Sequence, residues 1–594
     1  MSDLTLIQSA RSKPHPQTLR EVLRSSLLLS CLVLLPAVLG TEALAGWEYG
    51  GSTAEVFDLE AYQMSADPEG FASCADGFGG LIVAAYDAAT SPGRIRVSRV
   101  GHDGTELWGN GGVLVPTDIG GAGHHSPVAV APDGVGGAYV AFLGRWPAYE
   151  LFRLAHFTAV GAFERAFSVD NPGTVGEYDR LSIKLNPIAN GDVIAIWTQR
   201  SPAAKLHAAR FSSAGTLQWH IDVNQSYSHR ETVVTNTRTS WSVASDMLDG
   251  VLVTWLRLEV GTPQIGAQRI GPDGAAWWGN DGHLLWSGYL LDFHDPVIVG
   301  DVLGGGFVVM SHQGLATVQH LDPWGTEMWP SGGILVQNSG TPYWALSTNP
   351  AVCEDGAFGF IVVHGNEDLF AQRVDYWGNL LWGSGVAVGH RAGQQNKPDI
   401  APDGAQGAVL AWQDLYYGMP EEEWHVLAGM RLNASGQAVW GPDDLYMAWT
   451  VYDPHDVDVV ADGAGGALCA FACFDLSEYA DDVWALGVGP GGAVGVDPAA
   501  RIPIQAGLTA YPNPFAASTR IVVDATAVGA ARLEIFDVDG RLVRALTGAA
   551  LGPGRYGANW DGRDDAGRAV ANGIYLVRLA GSSFTHVTRV MRLR

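Results

Sequence analysis

Apolar residues in this chain come in short runs separated by Asp-Gly and Gly-rich turns, and the pattern repeats from about Gly70 to about Pro498. Val128 to Ala131 is followed by Asp133-Gly134 and then by Ala138 to Phe142. The same order recurs at Ile400-Ala401, Asp403-Gly404 and Ala408 to Trp412. Two apolar runs around such a turn predict a β-hairpin, with Asp and Gly supplying the positive-φ positions. A third run alternates in phrases such as Ala267-Gln268-Arg269-Ile270, Ala371-Gln372-Arg373-Val374 and Gly429-Met430-Arg431-Leu432. A fourth strand is expected to begin at a Trp four residues after a Gly, at Gly104/Trp108, Gly215/Trp219, Gly274/Trp278, Gly325/Trp329, Gly378/Trp382 and Gly436/Trp440. No segment keeps a helical period.

Counted by the Asp-Gly landmark, the copies start near Asp76, Asp133, Asn190, Asp249, Gly304, Asp355, Asp403 and Asp462. Four antiparallel strands per copy, in units of this length, predict an all-β fold with an eight-bladed β-propeller over residues 46–503; seven blades is the competing count. A β-solenoid needs shorter coils, and a string of sandwiches needs longer units. Two copies lack the closing Trp: the second offers Phe163, and the eighth, Gly489-Pro490-Gly491-Gly492, offers none. One Trp per blade is what packing between blades requires, so Trp108, Trp219, Trp278, Trp329, Trp382 and Trp440 are expected to be structural.

From Ala510 the vocabulary changes. Strand signals at Arg520 to Val523, Ala531 to Phe536, Leu542 to Leu546, Ile574 to Leu579 and Thr585 onward predict a small antiparallel sandwich over residues 504–594. The formal charge is −27. So acidic a body repels phosphate backbones, which excludes nucleic acid as a partner. Arg20 and Arg24 precede the apolar run Leu27 to Leu39, and Ala43-Leu44-Ala45 offers a small-x-small cleavage site. Residues 1–45 therefore read as a secretory signal peptide, too short to serve as a membrane span. Cys31 lies inside the apolar run, whereas a lipidated cysteine would follow it. Cys74, Cys353, Cys469 and Cys473 remain, too few for a disulfide framework. All four are expected to be buried free thiols.

The Gly-x-x-x-Trp landmark loosely resembles the tryptophan-docking repeat of quinoprotein dehydrogenases and of their non-catalytic relatives in outer-membrane protein assembly. That resemblance implies a ring fixed by Trp side chains docking on neighbouring turns. The repeat also resembles the sialidase-type Asp-box, where the aromatic follows the Gly one residue sooner. The C-terminal part resembles the immunoglobulin-like (Ig-like) domain of the flagellar hook-capping protein, and equally the sorting domain of type IX secretion cargo. The residues that carry it are Tyr511, Pro512, Asn513, Pro514, Phe515, Gly540, Arg541, Trp560, Asp561, Gly562, Arg563, Asp564, Gly567, Gly573, Ile574 and Tyr575. Arginines at Arg589, Arg592 and Arg594 stand where lysines are commoner. This resemblance implies passage through the outer membrane, with the secretion machinery as partner, and removal of the domain at the surface.

Segments entering several first strands carry polar groups, and His125, His294, Asn396 and His455 are candidates for a ligand ring at one channel mouth. The competing reading is that Pro and Asp merely start strands there. Asp561, Asp564 and Asp565 lack calcium-loop spacing and read as turn residues. The quinoprotein resemblance would bring a calcium-held quinone roofed by two adjacent cysteines, and no adjacent pair exists here. No cofactor is expected, a structural calcium aside. The reading is a secreted or cell-surface, non-catalytic binding or scaffold protein, not an integral membrane protein, with a glycan or protein ligand. The alternative function is a propeller enzyme, dehydrogenase-like or glycan-active, and the alternative location is the periplasm.

Overall fold

The computed structural model describes residues 54–57 and, apart from several breaks, 71–492 and 507–593. The signal segment therefore lies outside the described residues. Among these residues there is no α-helix, and every element is a β-strand. No helix long and apolar enough to cross a membrane occurs among them.

Among the described residues up to 488 there are eight antiparallel sheets, each built on a meander of three or four consecutive strands. The first strands are Phe71–Ala75, Val128–Pro132, Ile183–Pro187, Trp241–Ser245, Val297–Gly300, Ala351–Glu354, Gln394–Pro402 and Pro454–Ala461. Each first strand neighbours the first strand of the next sheet, and Pro454–Ala461 neighbours Phe71–Ala75, so the series closes on itself in a propeller-like arrangement. Between every two successive sheets lies one apolar core drawn from both. Second strands are buried on both faces, which is why they are nearly continuous in Val, Ile, Ala and Leu.

Three features differ from the sequence expectation. First, the fourth strand begins about five residues after the Trp, as at Val113–Leu114 after Trp108 and His283–Ser287 after Trp278; only Trp219 lies within its strand, Leu217–Asp222. Glycines at positive φ, such as Gly279 and Gly282, turn the chain between Trp and strand. Second, the landmark Asp of the fourth and fifth units is Asp246 and Asp301, three residues before Asp249 and Gly304. Its Oδ1 accepts from the amides two and four residues on, as Asp246 does from Leu248 (2.8 Å) and Gly250 (2.7 Å). The positive φ belongs to residues one and three positions after this Asp, Gly77 and Gly79 in the first unit and Met247 and Asp249 in the fourth. Third, Ala54–Phe57, ahead of the first sheet in the chain, is the outer strand of the eighth, antiparallel to Ala480–Val488.

Beyond residue 507 a three-stranded sheet (Gly507–Tyr511, Thr519–Ala525, Gly554–Trp560) and a four-stranded sheet (Leu542–Thr547, Arg532–Asp537, Gly573–Ala580, Thr585–Arg592) share one core. Ile521 and Trp560 from the first meet Leu533, Ile535, Val577, Leu579 and Val590 from the second. This part touches the ring where the Arg589 guanidinium lies 4.6 Å over the Phe358 ring.

Candidate functional site

In a four-stranded meander the first and third turns lie at the same end of the sheet. That end carries a repeated side-chain latch. The turn Asp meets an Arg or His on the third strand at Asp76–Arg99, Asp133–His156, Asp192–Arg210, Asp246–Arg269, Asp301–His320, Asp355–Arg373 and Asp403–Arg431, all at 2.8–3.1 Å. Each arginine also reaches the neighbouring sheet. Arg99 donates to the Gly136 carbonyl (2.8 Å), Arg210 and Arg269 to those of Pro272 and Pro323 (3.2 Å each), Arg373 to Ala434 (3.1 Å) and Arg431 to Gly465 (2.6 Å). The Asp–Arg pairs are largely buried, so each charge depends on its partner to offset lost solvation. At Asp133 burial raises the carboxyl. Hydrogen bonds from His156 and from the amides of Val135 and Gly137 outweigh it, and hold the group below the ordinary carboxylate range.

Trp side chains close the same junctions. Trp219, Trp278, Trp382 and Trp440 lie against Gly274, Gly325, Gly436 and Gly492 of the next sheet, where a Cβ would sit 2.7–3.0 Å from the indole. Trp108 meets Gly161 likewise, and Trp329 meets Gly378 at 3.1 Å. Indole Nε1 groups donate to the facing turn, Trp108 to Ala159 (3.0 Å), Trp219 to Pro272 (2.9 Å), Trp278 to Pro323 (3.2 Å) and Trp382 to Ala434 (3.0 Å). In the second sheet the docked residue is Phe167, whose ring a Cβ on Gly215 would strike, and not Phe163. Phe163 packs edge-on against Phe157 of its own sheet.

The first strands begin at the opposite end of the sheets, where the sequence places the candidate ligand ring. His125 and His294 lie outside the described residues, as does the side chain of His455. Asn396 pairs across the sheet with Gln413 and His455 with Ala472, each just before a bulge that leads to Asp399 or Asp458. The two backbone positions are thus equivalent on adjacent first strands. Beside Asn396, buried Gln395 donates to Asp414 Oδ1 (3.4 Å). The bulged carboxylates tie first strands together: Asp399 Oδ2 accepts from the Val459 amide (2.7 Å), and Asp458 Oδ2 from the Ser73 amide (3.0 Å) and hydroxyl (3.1 Å).

One cluster escaped sequence reasoning because it spans three strands of the third sheet. Trp197 stacks on His207 and His220 (5.4 Å each), and Asp222 Oδ1 lies 2.9 Å from His207 Nδ1. Burial lowers the His220 imidazole, against the pull of Asp222. Among the described residues no group of three His, Cys, Asp or Glu side chains is placed to hold a metal. Cys74, Cys353 and Cys469 are free thiols raised by burial. Cys353 and Cys469 are buried, Cys74 is half-buried, and the Cys473 side chain lies outside the described residues.

In the C-terminal part the motif residues converge. Phe515, Trp560 and Tyr575 form one aromatic cluster, tilted and edge-on at centroid distances of 5.2 and 5.0 Å, and Trp560 Nε1 donates to the Arg563 carbonyl (2.9 Å). Asn513 clamps the last strand, giving its amide to the Arg589 carbonyl and accepting from Met591 N. Gly562, at φ +68°, lies under the Arg592 side chain, and Tyr575 donates to the Ala571 carbonyl (2.8 Å). Gly573 opens the strand Gly573–Ala580. Asp561 and Asp564 face Arg544 and Arg568, and Asp565 accepts from Ala545 N. Pro512, Pro514 and the Tyr511 side chain lie outside the described residues.

Residues 513–583 match the family model of the FlgD Ig-like domain. No curated protein matches the chain. Among solved structures it is similar to the BP39L lectin of Burkholderia pseudomallei, at 16% identity over 64% of this chain and 99% of that one, TM-score 0.39. It is also similar to PorZ, a surface component of the type IX secretion system of Porphyromonas gingivalis, at 12% identity over 87% and 74%, TM-score 0.22. A PL25 ulvan lyase gives 11% identity over 76% and 96%, TM-score 0.34. Identities and scores this low bear on neither ligand nor activity.

Proposed function

We propose that the chain is an exported, surface-displayed binding or scaffold protein: an eight-bladed β-propeller over residues 46–503 and an Ig-like sorting domain over residues 504–594. The match of residues 513–583 to the FlgD Ig-like domain carries this reading. It is supported by the latch end of the ring, where the buried Asp, Arg and His side chains are committed to one another and to neighbouring backbone. The secretion machinery is the partner of the sorting domain, and the ring presents the binding surface, for a glycan or a protein. Truncation before Ala510 in the native host should trap the ring in the periplasm. Arrival of the truncated chain at the surface would make the terminal domain a second module of a periplasmic or secreted protein. Quinone-dependent dye reduction with added calcium would replace the non-catalytic reading with that of an enzyme.

A further inference from the structure

We propose that Trp324 and Trp377 form a two-ring platform that binds an uncharged polysaccharide along the turn end of the fifth and sixth sheets. This rests on the binding-protein reading above and assigns it a place and a ligand class. Both residues occupy the position just before the turn Gly that receives a neighbour's Trp. The other six units carry Asp, Val, Ala, Asp, Ser and Gly there, so docking does not require an aromatic. Their side chains are 74% and 77% exposed with the C-terminal domain present. Scattered exposed apolar side chains are ordinary, but two indoles at equivalent places on adjacent sheets are not scattered.

The turns hold the rings ready. Asp322 Oδ1 accepts from the amides of Trp324 (2.9 Å) and Thr326 (2.8 Å), and Asp375 Oδ1 from those of Trp377 (3.0 Å) and Asn379 (2.8 Å). Trp377 also stands edge to face with Tyr376 at 5.9 Å, and Tyr376 is packed in turn on buried His320. A ligand held there meets no ordering cost in the backbone of the site.

The ligand follows from the chemistry. The electron-rich face of an indole attracts the polarised C–H bonds on the face of a sugar ring. Exposed Thr326 and Asn379, beside the two rings, supply groups for hydroxyl edges. Packed sheets stand about 10 Å apart, so the rings are separated by roughly that distance or more. A chain with repeating faces fits two separated rings better than a protein does, whose anchors cluster in one desolvated centre. A net charge of −27 disfavours a polyanion.

Affinity electrophoresis of the full chain through gels containing xylan, mannan, mixed-linkage glucan or alginate tests this. At least one of the three neutral polymers should retard the wild type, and alginate should not. Trp324→Ala and Trp377→Ala should each weaken that retardation about tenfold, the effect of losing one stacking contact. The double variant should abolish it, while the melting temperature stays unchanged because both rings are exposed. Undiminished retardation of the double variant would overturn the platform while leaving a glycan-binding protein intact. Retardation by alginate alone would overturn the ligand class, and retardation by none of the four would overturn the platform and glycan binding together.

Discussion

The junction between the fourth and fifth sheets and the junction between the eighth and first join equivalent edges by different means. At the former, Arg269 is buried between Asp246 and the Pro323 carbonyl, Trp278 lies under Gly325, and the core includes Trp278 and Met310. At the latter, Gly487 stands opposite Leu468, where the other sheets place Arg or His, and no Trp stands four residues after Gly492. Its buried core is Leu, Val and Ala only, the one junction core among the described residues without a buried aromatic. Two other devices act here. Asp458 reaches Ser73, and the strand Ala54–Phe57, which belongs to the chain ahead of the first sheet, adds its backbone to the eighth. Side chains lock the junctions that the chain crosses once. Where the ring must close on itself, the backbone pairing of Ala54–Phe57 and the Asp458–Ser73 contact take the place of the Arg and the Trp.

The largest effect should come from the seam. Removing the chain through Phe57 leaves Ala480–Val488 as an open edge, and calorimetry should show a greater loss of melting temperature than any single substitution gives. An intact melting temperature would mean that Asp458 and the apolar core close the ring unaided. Next, Arg269→Leu strands the Asp246 carboxylate in the interior and should cost about 3–5 kcal/mol in denaturant unfolding. Adding Asp246→Leu should recover most of that, because the cost is an unpaired buried charge.

Acid should act away from the seam. Burial lowers His364, in the sixth sheet, to about 4, so the unfolded chain takes up its proton first. Stability from this residue is whole above about pH 6.5 and is lost as pH falls toward 4, by about 3 kcal/mol in all. His364→Leu should flatten that limb, equally in the chain truncated at Phe57. The smallest effect concerns Val302, a β-branched residue held at φ +68° in the fifth sheet's turn. Val302→Gly should relieve about 1 kcal/mol of strain.

Much of the ring was legible in the sequence because its signals are local. Asp133-Gly134 between two apolar runs is a hairpin within a dozen residues, and Gly274 with Trp278 marks a turn. The C-terminal motif was legible for the same reason, since Trp560 and Tyr575 sit in fixed phrases. What escaped notice depends on distant partners. Ala54–Phe57 pairs with a strand more than 400 residues away. The Asp–Arg latch was in view as a recurring Arg in the third phrase, but its partner lies 18–28 residues earlier. The recurrence of an Arg or His at the same place in the third run of successive units would have revealed it. Phe167 outranks Phe163 because strand register, not distance from the Gly, decides which ring reaches Gly215.

Native-state hydrogen exchange, resolved by peptide, tests the central claim most directly. The account predicts that amides of Phe71–Ala75 and Ala480–Val488, along the closing junction, open at lower free energy than those of Val251–Glu259 and Thr262–Ile270, beside the Arg269 latch. Equal protection around the ring, or earlier opening beside Arg269 than beside Gly487, would contradict it.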